Sequence, residues 1–256
     1  MPVMHETQFR IEARGAVEVL PFSAPAFITC AAAGDMGPPQ LGESDRREAA
    51  LAAAGLGGRR LLTVKQEHTR IVLGAEEVAA ALERGGATAG RPVADGIAGD
   101  DPQQVLGVTV ADCMPIYLHD REHNAVAMVH SGWKGTGIVR RALALMSERW
   151  DTSPAAVRAM LGPAIQVCCY AVDAERARWF QAEFGKGAAV QRDGQWYLDL
   201  QGANRRLVDE AGVRELAVCA DCTFCSGGLF SYRREGVRGY RRMLAGIAAA
   251  ASRGSA

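Results

Sequence analysis

Short apolar runs separated by polar turns occupy the middle of the chain. Residues 105–110 and 125–129 are mostly apolar, and their lengths suit buried strands better than helices. Between these runs, residues 119–124 are polar and predict a hairpin turn. Strands joined by such a short turn pair antiparallel, so the pattern predicts a sheet that is not purely parallel.

Helical spacing is clearest in residues 138–150, where Ile138, Ala142, Leu145 and Met146 recur on one face. Similar patterns predict further helices at residues 44–54, 76–84, 174–184, 203–211 and 240–251, and further strands at residues 61–66, 157–161 and 216–219. No repeat, low-complexity block or linker divides these elements. They therefore predict one α+β domain over residues 1–256 with mixed β-sheets.

Composition narrows the functional classes. The 29 Lys and Arg residues balance the 29 Asp and Glu residues, which excludes the uniform basic field of a protein that coats nucleic acid. No stretch reaches the roughly 18 apolar residues of a membrane span, and the N-terminal residues do not resemble a secretory signal. Seven cysteines are too few for a disulfide framework in this chain. We therefore expect a cytoplasmic protein without nucleic-acid or membrane partners.

Three chemically versatile residues, His68, Cys113 and His130, each stand where an apolar run stops. Strand ends present functional groups on a rigid support. Two imidazoles and one thiolate form a ligand set for zinc, or alternatively copper, with a fourth position open. Zinc with an open position lowers the pKa of a bound water to about 7.

Spacing alone leaves two other interpretations open. Cys113 and either histidine could form a thiolate–imidazole pair for nucleophilic catalysis, with Asp112 or another carboxylate orienting the base. Alternatively, Cys113 is a small buried side chain, and the histidines are ordinary core or surface groups.

Five short motifs occur in order around these residues. They are Gln66-x-His68, Thr109-Val-Ala-Asp-Cys-Met-Pro-Ile116, His130-Ser-Gly-Trp-Lys-Gly135, Leu161-Gly-Pro-Ala-Ile165 with Cys168-Cys-Tyr170, and Cys222-Thr223 followed by Phe230-Ser-Tyr-Arg-Arg234. Through them the chain resembles the YfiH-type family, also known as the multicopper polyphenol oxidase or laccase-domain family, which includes the animal protein FAMIN. The resemblance extends from about Arg46 to Arg234.

The resemblance implies a four-layer α-β-β-α domain whose metal site uses His68, Cys113 and His130. It also implies phosphorolysis of adenosine, inosine and methylthioadenosine to the free base and the corresponding sugar 1-phosphate, with adenosine deamination as a second reaction. The expected partners are therefore a purine nucleoside and phosphate, and the expected cofactor is zinc, with copper as the alternative. We expect a monomer or a small homo-oligomer.

Several residues are predicted substrate contacts. Arg46 and Arg233 are candidates for holding phosphate, because guanidinium groups bind it bidentately. Trp133 and Phe230 could stack on a purine, and Gln66 lies two residues before the first ligand. The family's usual terminal Thr-Gly-Arg is replaced here by Arg238-Gly239-Tyr240, and Lys134 stands where the family often has arginine.

A cysteine-rich segment, Cys219-Ala-Asp-Cys222-Thr-Phe-Cys225, adds a second possibility for metal binding. A zinc or iron–sulfur site normally needs a fourth thiolate, which Cys168 or Cys169 could supply. Because Cys222 belongs to a family motif, we interpret these residues as reduced structural thiols.

Alternative functions also follow from the same residues. The family's laccase label implies polyphenol oxidation, although three scattered ligands cannot by themselves build a multi-copper cluster. A metal- or cysteine-dependent amide hydrolase that acts on cell-wall precursors would use the same site. A third alternative is a non-enzymatic, metal-binding interaction protein.

Overall fold

A computed structural model describes residues 3–37 and 44–251. The α-helices within these ranges are α1 (Ser44–Ala53), α2 (Ala75–Ala89), α3 (Ile138–Trp150), α4 (Ala174–Phe184), α5 (Leu200–Glu210) and α6 (Tyr232–Glu235). The strands are β1 (His5–Phe9), β2 (Val17–Val19), β3 (Ala26–Thr29), β4 (Arg60–Thr63), β5 (Val72–Gly74), β6 (Gly96–Gly99), β7 (Gln104–Val110), β8 (Met114–Asp120), β9 (Val126–Ser131), β10 (Val157–Leu161), β11 (Ala171–Val172), β12 (Ala189–Arg192), β13 (Gln195–Leu198), β14 (Glu215–Cys219) and β15 (Met243–Ile247). No helix in the described ranges is long and apolar enough to cross a membrane.

Two large sheets carry most of the strands. The first contains seven strands in the order β1-β14-β10-β8-β9-β6-β5, and the second contains five in the order β2-β3-β15-β7-β4. In the seven-stranded sheet, β8 pairs antiparallel with β9 and β10, whereas β10 runs parallel to β14. A small third sheet has the order β11-β13-β12. The prediction of mixed sheets is confirmed.

Three apolar cores arrange these elements in four layers. The central core lies between the large sheets and includes Tyr117 and Met128 from one and Val108 and Met243 from the other. A second core packs α3, α4 and α5 on the outer face of the seven-stranded sheet, and a third packs α1 on the five-stranded sheet. Helices thus cover both outer faces, as the predicted α-β-β-α order requires.

The predicted C-terminal helix at residues 240–251 is wrong. Residues 243–247 form β15, which lies between β3 and β7 in the five-stranded sheet. Leu244 packs into the core under α1, while Ala245 and Ile247 pack into the central core. Burial on two faces at strand spacing overrides the helical propensity of the alanine-rich sequence. Gly246 fits here because a Cβ would lie 2.5 Å from the Phe27 ring.

The other predicted elements that bear on the site are confirmed. Helices α3 and α4 and strand β10 occupy the predicted ranges, and a hairpin joins β8 to β9. At one end of the two sheets, β4, β7 and β9 end and β8 begins, as their registers show. This end carries His68, Cys113 and His130.

Candidate metal and active site

His68, Cys113 and His130 form one cluster. One imidazole nitrogen from each histidine and the cysteine sulfur all lie within 4.8 Å of one another. Cys113 Sγ is 3.7 Å from His68 Nε2, and the two imidazole centroids are 5.0 Å apart. His130 is buried at the end of β9, whereas His68 is exposed after β4. The fold therefore brings together three residues that are far apart in sequence.

Unusual backbone conformations place two of these side chains. His68 has a φ of 60°, and Asp112, immediately before Cys113, has a φ of 80°. Such left-handed conformations cost about 1–3 kcal/mol for residues other than glycine. Other contacts must therefore stabilise the turns at His68 and Asp112. Two buried carboxylates, those of Asp95 and Asp112, supply these contacts.

Asp95 lies just before β6 and is completely buried. Its Oδ1 accepts hydrogen bonds from His130 Nδ1 at 2.8 Å and from the His68 backbone N–H at 3.1 Å. Its Oδ2 accepts from the backbone N–H groups of Glu67 and Thr69, at 3.2 and 2.6 Å, and from the Thr69 hydroxyl at 2.8 Å. Because Nδ1 is engaged, His130 offers Nε2 to the cluster, as metal-ligating histidines do when a carboxylate orients them.

Asp112 connects the Cys113 turn to two other segments. Its Oδ1 accepts from the Thr223 hydroxyl and its Oδ2 from the Arg233 backbone N–H, both at 2.6 Å. Its carbonyl accepts from the Ile165 N–H at 2.9 Å. The carboxylate that orients a histidine of the cluster is therefore Asp95, which bonds to His130, and not Asp112.

Cys113 and His130 shift each other's ionisation. Burial opposes the Cys113 thiolate, but the His130 charge and hydrogen bonds from both histidines outweigh it and lower the thiol pKa to about 6. Burial likewise opposes the His130 imidazolium, while the Cys113 thiolate and Asp95 raise the imidazole pKa to about 9. At neutral pH Cys113 thus carries the anionic sulfur that binds metals.

The cluster fits a tetrahedral metal ion. Zn–S and Zn–N bonds of about 2.3 and 2.0–2.1 Å place sulfur and nitrogen about 3.6 Å apart across a tetrahedral angle. Cys113 Sγ and His68 Nε2 are 3.7 Å apart. Three ligands leave one position for water or substrate. Imidazole and thiolate also suit copper, so the donor set is compatible with either ion.

A cavity of about 560 Å³ adjoins the cluster. Small-molecule sites typically have volumes of about 300–1,000 Å³. Of the predicted substrate contacts, Gln66, Trp133 and Arg233 line the cavity. Further lining residues include Arg91, Tyr170, Arg176, Tyr232, Tyr240 and Arg242.

The structure gives the surroundings of three predicted substrate contacts. Phe230 is 1% exposed and packs in the central core, where its ring contacts other apolar side chains and does not face the cavity. Arg46 is exposed and lies outside the described cavity lining. Gln66 reaches the cavity, but its amide donates to and accepts from the backbone of Thr109 at 2.8 Å. Gln66 therefore supports the turn that carries His68.

Two arginines that sequence patterns did not single out, Arg91 and Arg242, line the cavity, and the buried Arg47 lies near them. Arg47 donates to the carbonyl oxygens of Met36 and Gly37, both at 2.7 Å. Burial and the neighbouring Arg91 lower its pKa to about 10. Burial and Arg242 lower the pKa of Arg91. An anion bound here would offset the repulsion among these guanidinium groups.

The sequence profile of a family described as "Multi-copper polyphenol oxidoreductase laccase" matches residues 38–250. The chain belongs to this laccase family. Purine nucleoside phosphorylase of Clostridium acetobutylicum is 30% identical to it over 181 residues, which cover 68% of the chain and 70% of the relative. Purine nucleoside phosphorylase YlmD of Geobacillus stearothermophilus is 35% identical over 166 residues, which cover 61% of the chain and 60% of the relative. This sequence match thus spans less than two thirds of the length of YlmD.

Two solved structures share the fold of this laccase-family chain. Bacillus licheniformis hypothetical protein YfiH has a TM-score of 0.74 and 26% identity, covering 88% of the chain and 92% of its own. YlmD from Geobacillus stearothermophilus has a TM-score of 0.75 and 26% identity, covering 94% of both chains. These similarities confirm the resemblance to YfiH-type proteins.

Proposed function

We propose that the chain is a metal-dependent purine nucleoside phosphorylase that cleaves adenosine, inosine and methylthioadenosine, with adenosine deamination as a second reaction. Relatives named purine nucleoside phosphorylase support the general class. The observation that carries the finer proposal is the convergence of His68, Cys113 and His130 beside a cavity that arginines line. A cation site next to an anion site suits a reaction between a nucleoside and phosphate.

His68, Cys113 and His130 would hold the metal ion, which we take to be zinc, with copper as the alternative. The ion would supply Lewis acidity and, for deamination, activation of water. Asp95 would keep both histidines oriented through its bonds to His130 Nδ1 and the His68 amide. The chain's other contribution is to bind and orient the two substrates.

Arg91 and Arg242 are suited to hold the phosphate, because both line the cavity and because burial and the charge of Arg242 lower the pKa of Arg91. A phosphate oxygen would form a bond to the anomeric carbon of the ribose as the bond from that carbon to the purine nitrogen breaks. The products are the sugar 1-phosphate and the free base, and the departing nitrogen takes up the proton that the attacking phosphate gives up. Positioning alone contributes strongly to such a two-substrate reaction.

Tyr170 is suited to stabilise the departing base. It lines the cavity, and burial followed by the Cys113 charge raises the pKa of its hydroxyl above the usual value. The hydroxyl therefore stays protonated and can donate to charge that develops on the purine. Trp133 lines the same cavity, but the Arg176 guanidinium lies 4.6 Å over its ring. Trp133 thus shapes the cavity together with Arg176.

Incubation with a nucleoside panel tests the proposal. Zinc-loaded protein should release hypoxanthine from inosine and adenine from adenosine or methylthioadenosine only when phosphate is present. Deamination should release ammonia from adenosine with or without phosphate. Failure to release base with zinc, copper or other divalent ions, where a control phosphorylase succeeds, would overturn the proposal. Phosphate-independent cleavage of an amide substrate with adenosine untouched would instead support the hydrolase alternative.

Polyphenol oxidation fits the chain less well. His119 Nδ1 bonds to Ser23 at 2.8 Å, and His123 Nδ1 bonds to Asp120 at 2.7 Å. Neither histidine belongs to the cluster of His68, Cys113 and His130. His123 lies instead with Asp120 and Glu122, whose possible ligand atoms are also within 4.8 Å of one another. Within residues 3–37 and 44–251, His68 and His130 are thus the histidines that accompany Cys113, and this three-ligand cluster suits a single ion.

Replacing Arg242 with alanine should raise the KM for phosphate about tenfold or more, because one charge-assisted contact contributes about 1.5–3 kcal/mol. Phosphate-independent deamination of adenosine should change little. Initial rates over a phosphate titration give both values. Arg46→Ala is the matched control, since Arg46 lies outside the described lining of the cavity. Equal KM values for the two variants would contradict the assignment of Arg242.

Replacing Gly132 with alanine should weaken zinc binding about tenfold or more, given that overpacking costs about 1–3 kcal/mol. The added Cβ would lie 2.8 Å from His68 Cδ2 and 2.9 Å from Cys113 Sγ, so it would push two ligands apart. Competition with a chromophoric chelator measures the affinity. Gly227→Ala should bind zinc normally, because nothing lies within 4 Å of its added Cβ. Unchanged affinity in Gly132→Ala would contradict this geometry.

A further inference from the structure

Four cysteines form a second cluster outside the site described above. The sulfur atoms of Cys168, Cys169, Cys222 and Cys225 all lie within 4.8 Å of one another. Cys225 Sγ is 3.4 Å from Cys169 Sγ and 3.9 Å from Cys168 Sγ. Cys219, the first cysteine of the cysteine-rich segment, is buried and does not belong to the cluster.

These distances match a tetrahedral tetrathiolate site. Four sulfur atoms about 2.3 Å from a zinc ion lie about 3.8 Å from one another. The separations of 3.4 and 3.9 Å from Cys225 Sγ lie on either side of that value. The spacing from Cys222 to Cys225 is the Cys-x-x-Cys of structural zinc sites. The cysteine-rich segment supplies two of the four thiols, and the fold brings Cys168 and Cys169 to them from a distant part of the sequence.

Backbone N–H groups around Cys222 favour an anionic sulfur. The Gln166 N–H donates to Cys222 Sγ at 3.4 Å. Burial opposes the thiolate, but amide hydrogen bonds from Gln166, Cys225 and Phe224 outweigh it and lower the thiol pKa. Such bonds orient and stabilise the thiolates that ligate metals.

Cys168 and Cys169 do not ionise readily without a cation. Burial, with the neighbouring Cys222 sulfur, raises the pKa of Cys168 to about 11. Burial and the adjacent thiols Cys225 and Cys168 raise that of Cys169 still further. A divalent cation reverses this preference, because a coordinated thiol gives up its proton.

We propose that Cys168, Cys169, Cys222 and Cys225 bind a structural zinc ion as thiolates, at a site separate from the catalytic one. Four thiol protons are released to solvent when the ion binds. This proposal replaces the interpretation from the sequence that these residues are reduced structural thiols without a metal. The site does not depend on which reaction the chain catalyses.

The ion joins two segments that shape the catalytic cavity. One follows β10 and the other follows β14, and they also meet where the Thr223 N–H donates to the Ala164 carbonyl at 3.1 Å. Cys169 is followed directly by Tyr170, which lines the cavity. Cys222 is followed by Thr223, whose hydroxyl donates to Asp112. A zinc ion held by the four thiols would thus fix the segments that carry Tyr170 and Thr223 next to the catalytic site.

The Cys222–Cys225 turn is already held in shape by Arg234. Its guanidinium donates to the carbonyl oxygens of Thr223, Phe224 and Ser226 at 2.8, 2.9 and 2.9 Å. This contact places a positive charge beside a turn that would carry two thiolates. A preformed chelating turn reduces the entropy lost when the ion binds.

Metal analysis of protein purified with zinc tests the proposal. Wild-type protein should hold two zinc ions per chain, Cys113→Ser should retain one, and Cys225→Ser should lose the other. Cys219→Ala is the matched control and should retain both. One zinc in wild-type protein and none in Cys113→Ser would overturn the proposal, whatever the activity of the protein.

A second measurement does not require a cluster variant to fold. Cobalt(II) added to metal-free Cys113→Ser should give the intense visible and near-ultraviolet bands of a tetrahedral tetrathiolate complex, and zinc should abolish them. Zinc should also protect the exposed Cys168 and Cys225 from alkylation. A disulfide between Cys169 and Cys225 in freshly purified protein, or the absence of cobalt bands, would contradict the proposal.

Discussion

Replacing Cys113 with serine should abolish both zinc binding at the catalytic site and phosphate-dependent base release, lowering kcat/KM by about 10³-fold or more. A serine hydroxyl stays protonated at neutral pH and is a poor ligand for soft metals, so His68 and His130 would be left as a two-ligand set. Metal content per chain and initial rates with inosine and phosphate measure the two losses. Cys219→Ala, which replaces a buried thiol outside both clusters, should keep both properties.

Metal removal distinguishes a metal-dependent mechanism from thiol catalysis. The Cys113→Ser variant cannot do so, because it would inactivate either kind of enzyme. Chelation should inactivate wild-type protein, and added zinc should restore it. Wild-type protein that stays active after complete removal of zinc would contradict a metal mechanism. It would instead favour Cys113 as a nucleophile paired with His68 or His130.

Replacing Asp95 with asparagine should weaken zinc binding about 10–100-fold, since groups that orient metal ligands have effects of this size. The carboxylate accepts five hydrogen bonds, two at Oδ1 and three at Oδ2. The asparagine amide carries an NH2 group in place of one carboxylate oxygen. The N–H groups that donate to that oxygen in the wild-type protein would then face another donor and lose their acceptor. Chelator competition gives the affinity, and kcat at saturating zinc shows whether the bound ion remains functional.

Thermal unfolding of metal-free Asp95→Asn gives a second readout. Unsatisfied buried donors should lower the free energy of unfolding by about 2 kcal/mol even without zinc. Asp101→Asn is the control, because Asp101 is exposed and its carboxylate accepts a hydrogen bond from the Gln103 N–H. Zinc affinity in Asp95→Asn equal to that of Asp101→Asn would show that Asp95 does not orient the ligands.

The cluster of His68, Cys113 and His130 could be predicted because these residues lie at the ends of apolar runs and within ordered motifs. Asp95 could not, although it contacts both histidine segments. It precedes a short strand, and its role depends on how β6 pairs between β5 and β9. Non-local pairing of this kind has no counterpart in local sequence spacing.

The arginines illustrate the same limit. Arg46 and Arg47 are adjacent, yet only Arg47 turns inward to bond with the carbonyl oxygens of Met36 and Gly37. Arg242 reaches the cavity because the segment before it leads into β15. Because a helix was predicted at residues 240–251, the sequence did not indicate that Arg242 lies at the cavity.

Phosphorus NMR of zinc-loaded protein with inosine and inorganic phosphate tests the central claim most directly. With wild-type protein, the phosphate signal should fall while a ribose 1-phosphate signal rises, and hypoxanthine should form in an amount equal to the ribose 1-phosphate. Cys113→Ser should form neither product. Hypoxanthine accompanied by free ribose and an unchanged phosphate signal would contradict phosphorolysis.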